Sequence, residues 1–445
     1  MWLKIGKLLV TVAVVVALLF GALSLWASHR DKVVQQAWAA SRFGSLSALP
    51  ARFPAAPTNS QALRLEELAA RFGLDLVPRW RKVDGGRAGG AAHTAPFSNV
   101  KQAAKDYVNG QLRSADDHIA EPPRALATFL SEQSRPLSAL RQALISDGAP
   151  QWETAFAKGF EAPLPNMLGI LDLQFLLVAD ALTHARAGEN TVAAECLEAS
   201  WQLSAGLWRR PDLLSKLVAA ASATMQAGAA RRMPLPEVWA ARFETLDPLA
   251  SVLDAFVGEA WAIRDALTTR SLREIKDAFA GLPRWVPINR PWLMLSASSH
   301  NEAMLRLVSY LAERPLCTVD FVSPSPVFAP HFPVWDIVDR AAWPSNHLQL
   351  VGARVLRLQL DLELSARVLR LRAVRRASGR WPSELAGAVT RACPSMTWTY
   401  RVNADGTAAL AFAGTALRLP DESWRLQLPL THVLGTPAAS KPSGR

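Results

Sequence analysis

Leu8 to Ala27 (LLVTVAVVVALLFGALSLWA) carries no charged side chain over twenty residues, and that run limits every architecture open to the chain. At about 1.5 Å of rise per residue such a helix covers roughly 30 Å, the thickness of a bilayer's hydrocarbon. The expectation is a transmembrane anchor over 8–27, with Leu8, Val14, Leu19 and Leu25 toward lipid and Trp26 near the headgroups, where indole rings are favoured. Lys4 and Lys7 precede the run with the amino terminus, whereas Arg30, Asp31 and Lys32 follow with a net of one positive charge. The positive-inside rule therefore leaves 1–7 in the cytoplasm and carries the bulk of the chain to the periplasmic side of a bacterial inner membrane. A cleaved signal peptide has a shorter apolar region and an A-x-A-like exit. Ala22-Leu23-Ser24 is the one passable exit here, so the anchor is expected to stay uncleaved.

The chain of 445 residues is long for one ordinary domain and has ample material for a core. Half of it is hydrophobic and 20% is charged, which excludes a disordered or collagen-like polymer. Cys196, Cys317 and Cys393 contain no C-x-x-C pair, which argues against a zinc ribbon or a thioredoxin-type site and leaves their pairing open. The net charge of +11 invites a nucleic-acid reading, but its arginines are scattered, the densest run being Arg367 to Arg380. With no RNP motif, zinc finger or basic zipper region, nucleic acid is not expected as a partner.

Beyond the anchor, 28–58 holds Pro50, Pro54 and Pro57 among small and polar residues and reads as a tether after a short helical extension. Helical periodicity begins at Asn59, a capping residue, with Leu63, Leu65, Leu68, Ala69 and Phe72 at helical spacing and Gly73 as a stop. Gly85 to Gly90 predicts a mobile loop. Further helices are expected in 100–147, 167–187, 192–208, 211–232 and 235–246, separated by Pro-marked and Gly-marked corners. The run in 167–187 is apolar nearly all round, yet Asp172, Gln174 and Asp180 interrupt it, so burial in a soluble core explains it better than a second crossing. No 34-residue self-similarity is present, which makes 59–281 an irregular bundle or solenoid rather than a regular repeat array.

Prolines and aromatic rings alternate through 282–344, with one helix expected near 300–313; the remainder should be extended chain laid over the helical body. Trp285, Trp292, Phe328, Phe332 and Trp335 are the candidates there for a partner-binding surface, against the plainer reading that they pack on the protein's own core. The stretch 345–378 predicts the longest regular helix. Leu348, Val351, Val355, Leu358, Leu362 and Leu369 line one side, and Leu356, Leu360, Leu364 and Leu371 a second, so it should be covered on both. In 379–430 the period becomes that of strands: 397–402 and 407–412 flank Asp405-Gly406, a hairpin turn, with 416–419 and 424–428 as further strands and 431–445 as a disordered tail. The expected fold is mainly α: a transmembrane helix, an irregular helical ectodomain and a small antiparallel β meander near the C-terminus.

Catalytic motifs are scarce. G-x-S-x-G, H-E-x-x-H, G-x-G-x-x-G and Walker A patterns are all missing from the sequence. Ser98-Asn99-Val100-Lys101 matches S-x-x-K without the S-D-N and K-T-G that accompany it in penicillin-binding proteins. Asp116-Asp117-His118 with Glu121, and His300-Asn301-Glu302, place ligand-type groups close in sequence, but each reads as solvated helix surface. No catalytic, cofactor or metal residue is assigned on these grounds.

Gly379-Arg380-Trp381-Pro382-Ser383-Glu384-Leu385, followed by Tyr400 and Asp405-Gly406, resembles the G-x-[aromatic]-P-x-x-L … Y … D-G ending of type II secretion pseudopilins and of uncharacterised membrane-anchored bacterial proteins with helical ectodomains. The likeness covers about fifty residues; the pseudopilin processing signal at the N-terminus is absent. The resemblance implies a cell-envelope protein and carries over no catalytic residue. The leading functional expectation is an anchored periplasmic scaffold or accessory subunit of a membrane complex, with no cofactor. The alternatives are an envelope hydrolase or lipid- or glycan-binding protein, and a secretion or pilus accessory.

Overall fold

The computed structural model describes residues 2–77, 96–268, 286–323, 325–333, 336, 343, 345–413 and 430–435. Gly85–Gly90 and the strands expected at 416–419 and 424–428 lie outside these residues. The chain is mainly helical, with an apolar N-terminal helix and a small antiparallel sheet near the C-terminus.

The helices follow the capping and turn signals closely. α1 spans Trp2–Ala40, α2 Ser60–Ala70, α3 Lys101–Arg113, α4 Arg124–Glu132 and α5 Ser134–Ser146. α6 (Met167–Arg186), α7 (Asn190–Trp208), α8 (Leu213–Ala230), α9 (Val238–Thr245) and α10 (Pro248–Thr268) form successive hairpins, before α11 (Val286–Ala312) and α12 (Ser345–Ser378). The side chain of Asn59 accepts from Ala62 N at 2.8 Å and that of Asp212 from Ser215 N at 2.8 Å, each satisfying an orphan donor of a first turn. Gly188, at φ +79°, makes the tight corner between α6 and α7.

Two hydrophobic cores share α12. Leu358, Leu362, Ala366 and Leu369 pack into the core built by α2 to α9. Leu348, Val351, Val355, Leu356, Leu360, Leu364, Val368 and Leu371 pack into a second core with α10, α11 and the C-terminal strands. The helix is covered on two sides, but Leu348, Val351 and Val355, expected to share a side with Leu358, Leu362 and Leu369, lie in the second core instead. α6 is buried in the first core, and its polar residues are met there. Asp172 takes Lys101 at 2.6 Å and Lys105 at 2.9 Å, and Gln174 Nε2 donates to Ser200 O at 3.1 Å.

The sheet is a three-stranded antiparallel meander of β1 (Trp398–Val402), β2 (Ala408–Phe412) and β3 (Thr431–Leu434). Trp398 pairs with Phe412 and Val402 with Ala408 around a turn in which Gly406 takes φ +79°.

Three expectations need correction. Residues 28–58 are no loose tether: α1 continues to Ala40, Leu46 and Leu49 are buried, and Ala56 and Thr154 exchange backbone hydrogen bonds of 2.9 Å. Trp38, Leu46 and Leu49 lie in the second core, and burying them outweighs what proline-rich composition suggests. The helix expected at 300–313 begins at Val286; Pro287 falls in its first turn, where a missing N–H costs nothing, and Pro291 stands inside it. The tail predicted from 431 begins with a paired strand, because Ala408 to Ala411 need a partner on their second edge.

Candidate functional site

The junction between the apolar half of α1 and the folded body is the first candidate. Along α1, Leu9, Val14, Leu18, Leu19 and Leu25 expose half to three-quarters of their surface and Trp26 49%, whereas Ala27 and Trp38 expose none. The helix is long and apolar enough to cross a membrane, and its exposed portion ends where the docked portion begins. Trp38 Nε1 donates to Asn301 O at 3.2 Å, Arg30 pairs with Glu302 at 2.5 Å, and Arg264 holds both carboxylate oxygens of Asp31 at 2.9 and 3.2 Å. Arg30 and Asp31, read from the sequence only as flanking charges, therefore fasten the stem to α10 and α11.

The aromatic surface expected in 282–344 turns inward where it is described. Phe328 is 1% exposed and Phe332 8%, which removes both as partner contacts. Phe328 packs against Phe321 and Tyr310 at centroid distances of 5.8 and 6.5 Å, and Phe332 against Trp343 at 5.4 Å. The Pro-rich chain folds Phe321, Phe328 and Trp343 onto the second core. Trp292 is half-buried beside Leu267, Leu293 and Ala297. Trp285 and Trp335 lie outside the described residues, as does the side chain of Leu8.

A cleft of about 680 Å³ opens between α9, α12 and the segment 382–392, with Phe243, Leu246, Leu362, Val374 and Leu385 among its apolar walls. Four of its charges are tied to one another in pairs. Arg370 meets Glu244 at 2.6 Å and Arg367 meets Glu363 at 2.7 Å. Glu363 also accepts from the backbone N–H of Arg391 at 3.0 Å and from Trp398 Nε1 at 3.0 Å. Two-carboxylate hydrolysis needs one carboxyl group to deliver a proton and another to attack or activate water. Here Glu244 and Glu363 have oxygens committed to arginine and indole donors.

Asp180, His184 and Cys196 bring three metal-ligand atom types within 4.8 Å of one another, a convergence with no signature in the sequence. Asp180 Oδ2 accepts from Arg141 at 2.8 Å and from the Cys196 thiol at 3.2 Å, and its Oδ1 faces His184 Nε2 at 3.3 Å. His184 Nδ1 lies 2.5 Å from Glu189. The hydrogen bond to Asp180 raises the imidazole's pKa, and burial raises the thiol's well above its ordinary value. The Arg141 guanidinium already supplies the positive charge that faces Asp180. Chemically this is a buried ion cluster binding α5, α6 and α7 together.

The remaining sequence candidates separate. Lys101 of the S-x-x-K match is drawn to Asp172, and Ser98 is exposed. Asp117 is not solvated helix surface: it lies in a loop, where its carboxylate accepts from His432 Nε2 at 2.7 Å, from Gly435 N at 2.7 Å and from Arg372. Burial works against its charge, but the hydrogen bond from His432 and the Arg372 guanidinium outweigh burial and hold the carboxyl below its ordinary value. His300 and Asn301 are buried on α11, with the His300 ring 4.9 Å from that of Trp343.

The residues behind the resemblance assemble into one unit. Trp381 Nε1 donates to Gly406 O at 3.0 Å, Tyr400 Oη donates to Pro382 O at 3.0 Å, and the Arg375 guanidinium lies 4.3 Å from the Trp381 ring centroid. The Trp-Pro segment is thereby pinned to the Asp-Gly hairpin and to the end of α12. No protein family, curated protein or solved structure matches this chain.

Proposed function

We propose that the chain is a single-pass accessory or scaffold subunit of the bacterial inner membrane. In this reading residues 1–7 are cytoplasmic, the helical body lies on the periplasmic side, and a membrane-embedded protein is its partner. The observation that carries it is the continuity of α1: one helix contains the apolar run and, without a break, the stem buried beside α11 through Trp38. A flexible tether serves an enzyme with diffusing substrates. A stem locked at fixed height and rotation suits a body that must meet a neighbour in the same bilayer.

Affinity purification of the solubilised full chain tests this. A stoichiometric membrane-protein partner is expected, and recovery of the chain alone as a monomer would overturn the reading. Fusions of a periplasm-dependent reporter to the C-terminus should be active, and activity only for cytosolic reporters would reverse the proposed orientation.

The cleft supports a second reading, an envelope hydrolase or glycan- or lipid-binding protein, because Glu244, Asp247, Glu363 and Glu384 line it. Saturable binding of a glycan or lipid that Glu244→Gln abolishes would favour that reading over the first.

A further inference from the structure

Cys317 and Cys393 are 76 residues apart and come together at the edge of the second core. Cys317 sits in the 3₁₀ turn Leu316–Thr318 that follows α11, and Cys393 in the loop between α12 and β1. The Cys317 thiol points at Ala392 O, 3.7 Å away, on the residue that immediately precedes Cys393. The loop that presents Cys393 is fixed. Thr390 Oγ1 accepts from Cys393 N at 2.9 Å and donates to Cys393 O at 2.5 Å, and Met396 N donates to the same carbonyl at 2.8 Å. Cys393 is fully buried and Cys317 half-buried, so a reagent reaches the pair through Cys317. The third thiol, Cys196, belongs to the other core and is engaged by Asp180.

We propose that Cys317 and Cys393 are a disulfide pair that clasps the C-terminal β unit to the end of α11. Its occurrence in the cell rests on the periplasmic reading above, because only an oxidising compartment supplies the acceptor. The thiolate of Cys317 attacks one sulfur of a disulfide donor of the dithiol-oxidase class, forming a mixed disulfide and releasing one donor thiolate. Cys393 loses its proton and attacks the Cys317 sulfur, closing the protein disulfide and expelling the second donor thiolate. The donor gains the two electrons and the two protons that the cysteines give up, and leaves as a dithiol. Burial holds the Cys393 thiol protonated until that second step, which makes Cys317 the entry point.

The test counts thiols on the full-length, detergent-solubilised protein by denaturing it and alkylating with a polyethylene-glycol maleimide. Chain isolated from its membrane should carry one adduct, at Cys196, rising to three after reduction. Cys317→Ser and Cys393→Ser should each carry two adducts, with or without reductant, and Cys196→Ser none before reduction and two after. Reduced wild-type protein incubated with glutathione disulfide should return to one adduct, with the 317- and 393-containing peptides linked in a digest. Three adducts after that incubation, or a link that includes Cys196, overturns the pair. Three adducts in freshly isolated chain that fall to one with glutathione disulfide uphold the pair and instead overturn the periplasmic reading.

Discussion

Arg231 carries its guanidinium inside the helical body, 3.4 Å from Asp361 Oδ1 and 3.0 Å from Ser365 Oγ, and neither partner has measurable exposure. Such a pair contributes little net stability while whole, but removing one member leaves a charge buried without its counterion. Asp361→Ala is therefore expected to cost about 3–5 kcal/mol, read as a lowered urea midpoint, and Asp361→Asn distinctly less. His432 sets an acid limit. Burial pushes its imidazole down to about 4, while the unfolded chain titrates near 6.5, so the unfolded state takes up the proton first as pH falls. Its contribution is intact above pH 6.5 and is lost between 6.5 and 4, up to roughly 3 kcal/mol. His432→Gln keeps a donor for Asp117 and should flatten the fall in unfolding free energy between pH 7 and 4.5. Glu259 acts in the other direction: burial raises its carboxyl to about 7. Its contribution declines as pH rises from about 4.5 to 7 and so opposes that of His432, and Glu259→Gln should steepen the fall in unfolding free energy between pH 7 and 4.5 in the same titration. At this scale the sequence was legible only in part. Asp172, Gln174 and Asp180 said that α6 belongs in a soluble core, but their partners stand on α3, α5 and α7, and contacts across elements leave no spacing in a single sequence.

Elements were far more readable, because caps, glycines and apolar periodicity act within a few residues of one another. Asn59, Gly188 and Asp405-Gly406 each stand where the chain turns as expected. The failures came where tertiary burial outweighed composition: the stem in 28–58, the proline-containing start of α11, and β3. Trp38→Ala empties a fully buried site between stem and body. It should cost about 3–5 kcal/mol and open residues 28–58 to limited proteolysis. Gly169 lies where α6 crosses the segment that follows α2, and a Cβ there would collide with the Asp75 carbonyl oxygen. Backbone cannot yield as a side-chain tip can, so Gly169→Ala should destabilise by about 1–3 kcal/mol in thermal unfolding, although alanine is the better helix former.

For the whole molecule, the expectation of a central α12 held because two apolar stripes on one helix have only one stable solution. The cleft, by contrast, had no signature: α9, α12 and 382–392 contribute to it from distant parts of the chain, and their charged residues look like ordinary surface in sequence. α1, finally, is a beam. Its 39 residues make about 58 Å of unbroken rod, embedded at one end in the folded body. A tilt of 10° imposed on the free end swings the other by on the order of 10 Å, so any force that leans on the apolar half is delivered as displacement of the entire folded body.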